Sequence, residues 1–130
     1  MQNNPRNGFS LSKFFRSFKY ALSGIVKVFR SEPNFRVHTL AAIIAVSAGF
    51  YFPITKAEWL AVIITITLVF TVETINSAFE KFTDLVSPGH HPLAGWVKDV
   101  AAASVLITGI GAAIVGLVVF GPYLRDVFGF

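Results

Sequence analysis

Three long apolar stretches limit the folds that this chain can adopt. They cover residues 37–54, 58–79 and 100–124, and Glu73 is the one charged residue that lies well inside any of them. A helix needs about 20 mostly apolar residues to cross about 30 Å of hydrocarbon. The stretches show no strand-like alternation and are too few for a closed β-barrel. We therefore predict an all-α integral membrane protein with three transmembrane helices.

The composition agrees with a membrane location. Hydrophobic side chains make up 54% of the 130 residues and charged side chains only 14%, with a mean hydropathy of +0.64. Soluble domains carry about 25% charged residues. The 14 Phe residues exclude a disordered chain. Because the sequence has no Cys, disulfides, thiolate metal sites and cysteine nucleophiles are excluded as well.

The chain before the first span predicts an amphipathic helix on the membrane surface. Residues 9–31 interleave Phe and other apolar residues with Lys and Arg near helical spacing. Turn-forming residues then separate three longer helices. We expect a single membrane domain over residues 1–130, made of a flexible tail (1–8), the surface helix (9–31) and helices at 33–54, 58–86 and 93–124.

The distribution of positive charge predicts the orientation. Seven of the 11 Lys and Arg residues precede the first span. The positive-inside rule then places the N-terminus and the second loop in the cytoplasm. Because this asymmetry accounts for the net charge of +4, we expect membrane lipids as partners and no nucleic acid.

Acidic residues in the second span indicate a function. An ionised side chain at the membrane centre costs about 2.5 to 3.5 kcal/mol, so a chain that keeps one there generally uses it. Glu73 follows Glu58 by about 22 Å along a helix, which places it toward the cytoplasmic side. One helical face carries Glu73, Asn76, Glu80 and Asp84 within about 80°, and Ser77 borders it. Three stacked carboxylates need a cation, and oxygen ligands with room for phosphate favour Mg²⁺.

Several of these residues also have a simpler interpretation. An ion pair with Lys81 or Lys98 explains Asp84 as well as a functional role does, whereas Glu73 has no cation near it in the sequence. Lys98, which precedes Asp99, could neutralise phosphate or simply mark the inner end of the third span.

Two positions outside the second span are also open to interpretation. Glu32 is the one acid among the N-terminal cations, and the residues alone favour an ion pair with Arg30 or Arg36 over a metal ligand. The adjacent His90 and His91 are more typical of a turn or a ligand contact than of a zinc site.

Small residues in the third span favour close helix packing. Gly109 with Ala113, and Ala112 with Gly116, form small-xxx-small pairs. Three helices can hardly surround a buried polar stripe, so we expect an oligomer.

Taken together, these motifs resemble the small bacterial membrane lipid kinases, the family of prokaryotic diacylglycerol kinase and undecaprenol kinase. The resemblance covers about residues 14–119 and centres on Glu-Thr-Ile-Asn-Ser-Ala-Phe-Glu-Lys-Phe-Thr-Asp at 73–84, where Phe79 and Thr83 depart from the usual aliphatic residues. Further motifs stand in the family's order: Ser-Phe-Lys-Tyr-Ala (17–21), Glu-Pro-Asn-Phe-Arg-Val-His (32–38), residues 87–94 and Lys-Asp (98–99). The first three of these look more like the undecaprenol kinase branch.

The resemblance implies phosphorylation of a lipid hydroxyl, of undecaprenol or diacylglycerol, by ATP and Mg²⁺ at the cytoplasmic face of the bacterial inner membrane. It implies that Glu73 is the general base, that Asn76 positions the reacting groups, and that Glu32 and Glu80 hold the metal. It thereby reverses the interpretation of Glu32 as an ion-pair partner. Asp84 and Ser77 would support the site, in a homotrimer with shared sites. The residues implied in nucleotide binding are Lys13, Tyr20, Gly89, His90, His91, Lys98 and Asp99.

Two other classes of function compete. A small ion or proton conductor would use Glu73, Glu80 and Asp84 as a pathway, but it leaves the Lys-Asp pair and the His loop unexplained. A structural membrane protein leaves Glu73 unexplained. We expect neither to describe this chain as well as a lipid kinase does.

Overall fold

The computed structural model describes residues 10–129, which form four helices and no strand. The helices are α1 (Leu11–Ser31), α2 (Pro33–Tyr51), α3 (Lys56–Val86) and α4 (Pro92–Phe128). This confirms the all-α class. The expected flexible tail, residues 1–8, and the first residue of the expected surface helix lie outside the described residues.

The helix ends differ from the expected ones by a few residues. Thr55 starts α3 earlier than expected through a capping box, in which its hydroxyl accepts from the Glu58 amide (3.2 Å) and the Glu58 carboxylate accepts from the Thr55 amide (2.7 Å). The helix α2 ends at Tyr51, and α4 continues through Pro122 to Phe128, where Gly129 ends it with a φ of 71°. Gly tolerates this left-handed backbone because it has no Cβ.

Two of the helices, α3 and α4, are long and apolar enough to cross a membrane. The helix α2 is shorter, with 19 residues, and it begins with the polar side chains of Asn34, Arg36 and His38. Its apolar part is therefore short, and α2, although long enough, is not apolar enough to meet the same standard. The first of the three expected spans remains a prediction.

The helix α1 is amphipathic, and none of its residues is buried. Its large apolar side chains are exposed, for example Phe15 at 67% and Phe18 at 60%. Contact with the other helices comes at its C-terminal end, where the ring of Phe29 packs edge-on against Phe35 of α2 at 6.4 Å. An exposed apolar face on a basic helix is what a helix on a membrane surface requires.

The antiparallel pair of α3 and α4 forms the centre of the fold, and α2 packs against α3. A hydrophobic cluster of Val62, Val119 and Phe120 lies toward the first loop, residues 52–55. At that end the Tyr123 hydroxyl donates to the Glu58 carboxylate at 3.0 Å. At the end next to the second loop, residues 87–91, Lys98 of α4 pairs with Asp84 of α3. The two ends of the α3–α4 pair are thus tied by polar contacts, and its middle by apolar packing.

Candidate active site

The most buried side chain that carries a formal charge is Glu73 of α3, with 2% of its surface exposed. Asn76 and Ser77, one turn further along the same helix, are also buried, whereas apolar side chains such as Leu60 and Ile64 are more than half exposed. Polar groups inside and large apolar groups outside reverse the pattern of a soluble domain. The arrangement fits a helix whose apolar side faces lipid and whose polar face lines a site.

Hydrogen bonds order this polar face. Asn76 Nδ2 donates to Glu80 Oε1 at 3.1 Å, and Ser77 Oγ donates to the backbone carbonyl of Glu73 at 3.0 Å. Glu73 Oε2 and Asn76 Oδ1 are buried and have no hydrogen-bond partner among the described residues. Buried polar atoms are nearly always paired, so two unpaired oxygens one helical turn apart indicate a place for a ligand.

Glu32 reaches the same site from another part of the chain. It lies in extended backbone between α1 and α2, and its carboxylate accepts from the Ser31 hydroxyl at 2.8 Å. The rings of Phe35 and Phe70, 4.9 Å apart, hold the start of α2 against α3. The carboxylates of Glu32 and Glu80 lie close enough to Glu73 for their charges to act on it. Three acids therefore converge, although 41 residues separate Glu32 from Glu73.

The structure also decides against the simpler interpretation of Glu32. Within residues 10–129 the single ion pair is that of Lys98 with Asp84, so Glu32 is not paired with Arg30 or Arg36. An ion pair between those neighbours was the interpretation that the residues alone favoured. Spacing in the sequence did not show that Glu32 adopts extended backbone between the two helices and that its carboxylate accepts from the Ser31 hydroxyl.

The metal-ligating side chains of the site suit a cation that takes most of its ligands from substrate and water. In the described part of the chain, no group of three or more His, Asp or Glu side chains is placed to hold a metal ion. Glu32 and Glu80 can offer carboxylate oxygens. Mg²⁺ is typically bound by one or two carboxylates together with substrate phosphates and water, so this donor set fits it better than it fits a Ca²⁺ cage.

Asp84 lies at the end of the polar face and is the partner of Lys98. The two side chains are 57% and 39% exposed, so the pair is open to solvent and contributes little to stability. This contact agrees with the ion-pair interpretation of Asp84. It also brings Lys98 to the same end of α3 as Glu80.

The other expected nucleotide contacts lie around this end or on α1. Gly89, His90 and Asp99 are exposed, and His91 Nδ1 accepts from the Leu93 amide at 3.2 Å, which makes His91 the N-cap of α4. The side chains of Lys13 and Tyr20 are exposed on α1 and make no hydrogen bond or ion pair with the described residues of the site. The structure thus brings together Glu32, Glu73, Asn76, Ser77 and Glu80, but not Lys13 or Tyr20.

Sequence reasoning missed three neighbours of the site. Thr83 is buried at 8%, and its position three residues after Glu80 places it on the polar face. That spacing could have identified it. Nothing in the sequence signalled the contact of Phe35 with Phe70, because it joins two helices.

Comparison with known proteins identifies the family of the chain. A family model for prokaryotic diacylglycerol kinase matches residues 19–120. The chain is 38% identical over 114 residues to the undecaprenol kinase of Bacillus subtilis (strain 168), covering 88% of this chain and 93% of that protein. It is 35% identical over 108 residues to the diacylglycerol kinase of Haemophilus influenzae, covering 83% and 89%. With the diacylglycerol kinase of Escherichia coli (strain K12) it shares 31% over 114 residues, covering 88% and 91%.

The matched region runs from α1 to the second half of α4 and holds all the candidate site residues except Lys13. It includes the buried Glu73 and the two carboxylates that converge on it. The chain therefore belongs to the prokaryotic diacylglycerol kinase family and is a lipid kinase.

Proposed function

We propose that this protein transfers the γ-phosphoryl group of ATP to the hydroxyl of a membrane lipid alcohol, undecaprenol or diacylglycerol, with Mg²⁺ as cofactor. The observation that carries the proposal is the buried Glu73, whose Oε2 has no partner among the described residues. A carboxylate kept in this state can accept a proton from a substrate that reaches it. The names of the relatives, which include both kinds of lipid kinase, support the choice of substrates.

In the reaction, the hydroxyl oxygen of the lipid attacks the γ-phosphorus of ATP. The bond from that phosphorus to its bridging oxygen breaks, so ADP leaves, and the hydroxyl proton passes to the carboxylate of Glu73. Phosphoryl transfer depends mainly on positioning and on neutralised charge. Burial of Glu73 keeps water away from the reacting groups and so favours transfer to the lipid over hydrolysis of ATP.

Other side chains position the groups around this step. Glu32 and Glu80 would hold Mg²⁺, which supplies positive charge at the phosphates when it is bound. Asn76 orients the Glu80 carboxylate, and its free carbonyl oxygen faces the site. Ser77 and Asp84 support the face of α3. The nucleotide would be contacted by Lys13, Tyr20, Gly89, His90, His91, Lys98 and Asp99.

The proposal also covers the membrane location and the oligomeric state of the protein. The protein lies in the bacterial inner membrane with a cytoplasmic N-terminus, since most of the cations precede the first span. The helix α2 is the first of the three transmembrane helices, and residues 52–54 of the first loop extend its apolar stretch. Three copies form a trimer with shared sites, which would cover polar surface that one chain leaves open.

The test is an assay of purified protein in detergent with labelled ATP and Mg²⁺, in which undecaprenol and diacylglycerol are offered separately. We expect label in one or both lipids and none with E73Q. A matched control is E58Q, which makes the same change at the other end of α3 and keeps turnover. Gel filtration shows that both variants stay folded oligomers.

Two outcomes of the assay would contradict the proposal. Transfer by E73Q at the wild-type rate would remove Glu73 from the mechanism. No label in either lipid from a folded protein, together with proton flux into liposomes without ATP, would identify a conductor instead.

A further inference from the structure

Thr83 of α3 is the one buried polar residue, among those the structure describes, to which the proposed reaction gives no role. It lies on the polar face of the helix with 8% of its surface exposed. It also stands where the sequence departs from the aliphatic residue usual in the family. A valine would fill nearly the same space without a hydroxyl. Packing alone therefore does not account for this hydroxyl.

The Thr83 hydroxyl makes no hydrogen bond within residues 10–129. A threonine in a helix commonly donates to a carbonyl of the preceding turn. Thr71 and Thr74 of the same helix do so, at 2.8 Å and 2.7 Å. A buried hydroxyl without a partner is unfavourable until a ligand or water supplies one. Thr83 thus keeps a donor free on the polar face.

The hydroxyl oxygen of Thr83 is also within reach of a ligand. The oxygens that lack a partner and are fully enclosed, within the described part of the chain, are Glu73 Oε2 and Asn76 Oδ1. The Thr83 oxygen lacks a partner but is not one of them, so the small exposed part of this residue includes its oxygen. A ligand atom can therefore contact the hydroxyl without a shift of α3.

The neighbours of Thr83 on α3 indicate the chemistry of this ligand. Glu80, one turn earlier, is a proposed Mg²⁺ ligand, and Asp84, the next residue, pairs with Lys98. Residues 80, 83 and 84 leave the helix within about 100° of one another and within about 6 Å along its axis. Phosphate groups that bind both Mg²⁺ at Glu80 and the ammonium group of Lys98 pass close to this hydroxyl. A hydroxyl donates well to a charged phosphate oxygen.

We propose that the Thr83 hydroxyl donates to a phosphate oxygen of the nucleotide, between the Mg²⁺ held by Glu80 and the ammonium group of Lys98. The inference rests on the proposed function, which supplies the nucleotide and the metal. Thr83 is then a nucleotide-binding residue that takes no part in proton transfer. Loss of its hydroxyl weakens the binding of ATP and leaves the binding of the lipid unchanged.

The first test is kinetic and separates the hydroxyl from the shape of the side chain. T83V removes the hydroxyl at nearly constant volume, whereas T83S keeps it. We expect T83V to raise the KM for ATP about tenfold, as the loss of one hydrogen bond to a charged group predicts. The KM for the lipid and the Mg²⁺ concentration at half-maximal activity stay unchanged. T83S keeps most of the affinity for ATP. The matched control T74V, whose hydroxyl bonds only the Phe70 carbonyl, keeps all of it.

Two kinetic results would overturn the proposal. A wild-type KM for ATP in T83V would leave the hydroxyl without a role in binding. A change confined to the Mg²⁺ dependence would make Thr83 a metal ligand instead of a phosphate contact.

The second test needs neither lipid nor turnover. The Kd of MgADP is measured by calorimetry for wild type, T83V and T74V in detergent, and gel filtration shows that each is a folded oligomer. We expect binding about tenfold weaker in T83V alone. Equal Kd values in all three would reject the role of Thr83, even if the wild type phosphorylates lipid. Weaker binding by T83V together with no phosphorylation of lipid by the wild type would reject the lipid kinase mechanism and keep the phosphate contact.

Discussion

Asn76 donates through Nδ2 to Glu80 Oε1 at 3.1 Å while its own carbonyl oxygen has no partner among the described residues. One amide therefore orients a carboxylate and still presents a free acceptor to the site. Glu73, one turn earlier on the same face, presents a second acceptor through its unpaired Oε2. This relationship makes Asn76 a positioning residue in our proposal.

Replacement of Asn76 by Ala removes the hydrogen bond that orients Glu80. We expect N76A to lower kcat about 10- to 100-fold, which matches the loss of one hydrogen bond to a charged group, about 1.5 to 3 kcal/mol. The matched control is T74V, since the Thr74 hydroxyl bonds only the Phe70 carbonyl of its own helix. Full activity in N76A would exclude a positioning role.

Mg²⁺ dependence tests the roles of Glu32 and Glu80. We expect E32Q and E80Q each to raise the Mg²⁺ concentration at half-maximal activity about tenfold or more at fixed ATP, because each loses an anionic ligand. D126N, which neutralises an exposed acid in the last turns of α4, serves as the control. Chelation should abolish activity in the wild type, and added Mg²⁺ should restore it. If E32Q and E80Q keep the wild-type Mg²⁺ dependence, the metal is held elsewhere.

The contact of Lys98 with Asp84 allows a charge-reversal experiment. If Lys98 binds phosphate, K98Q raises the KM for ATP about tenfold, whereas D84N changes it less. The double variant K98D with D84K rebuilds the ion pair but puts a negative charge where phosphate would bind. We expect it to remain impaired, as measured by initial rates against ATP concentration. Recovery in the double variant would show that the pair is only structural.

Gly49 permits the close contact of α2 with Trp59. A Cβ at this position would lie 2.8 Å from Trp59 Cη2 and 2.9 Å from Cζ2. We expect G49A to destabilise the fold by about 1 to 3 kcal/mol, because the indole ring must shift. G111A, where nothing lies within 4 Å, should keep or slightly raise stability, as measured by thermal unfolding in detergent. Equal midpoints for both variants would contradict the packing argument.

The hydroxyl of Tyr123 joins the end of α4 to the start of α3. We expect Y123F to lower the midpoint of thermal unfolding and to leave kcat unchanged, because it removes the hydrogen bond to Glu58 but keeps the ring that stacks on Phe52 at 5.6 Å. The control Y51F changes an exposed Tyr at the same end. A change in kcat without loss of stability in Y123F would connect this end of the molecule to the site.

The helical class and the polar face of α3 can be predicted from the sequence. Both depend on local spacing: uncharged runs long enough to cross a membrane, and Glu73, Asn76 and Glu80 at helical intervals. The Thr55 capping box is local too, and its two residues are visible in the sequence. The polar residues at the start of α2 are visible in the sequence as well. Because they shorten its apolar part, a transmembrane span in α2 remains a prediction.

Contacts between distant groups depend on how the helices pack and could not be predicted from the sequence. Glu32 approaches Glu73 because α2 begins directly after it and packs on α3 through Phe35 and Phe70. Local sequence favoured an ion pair for Glu32 because Arg30 and Arg36 are its near neighbours. Spacing along one helix specifies a face, but the packing of helices decides what that face meets.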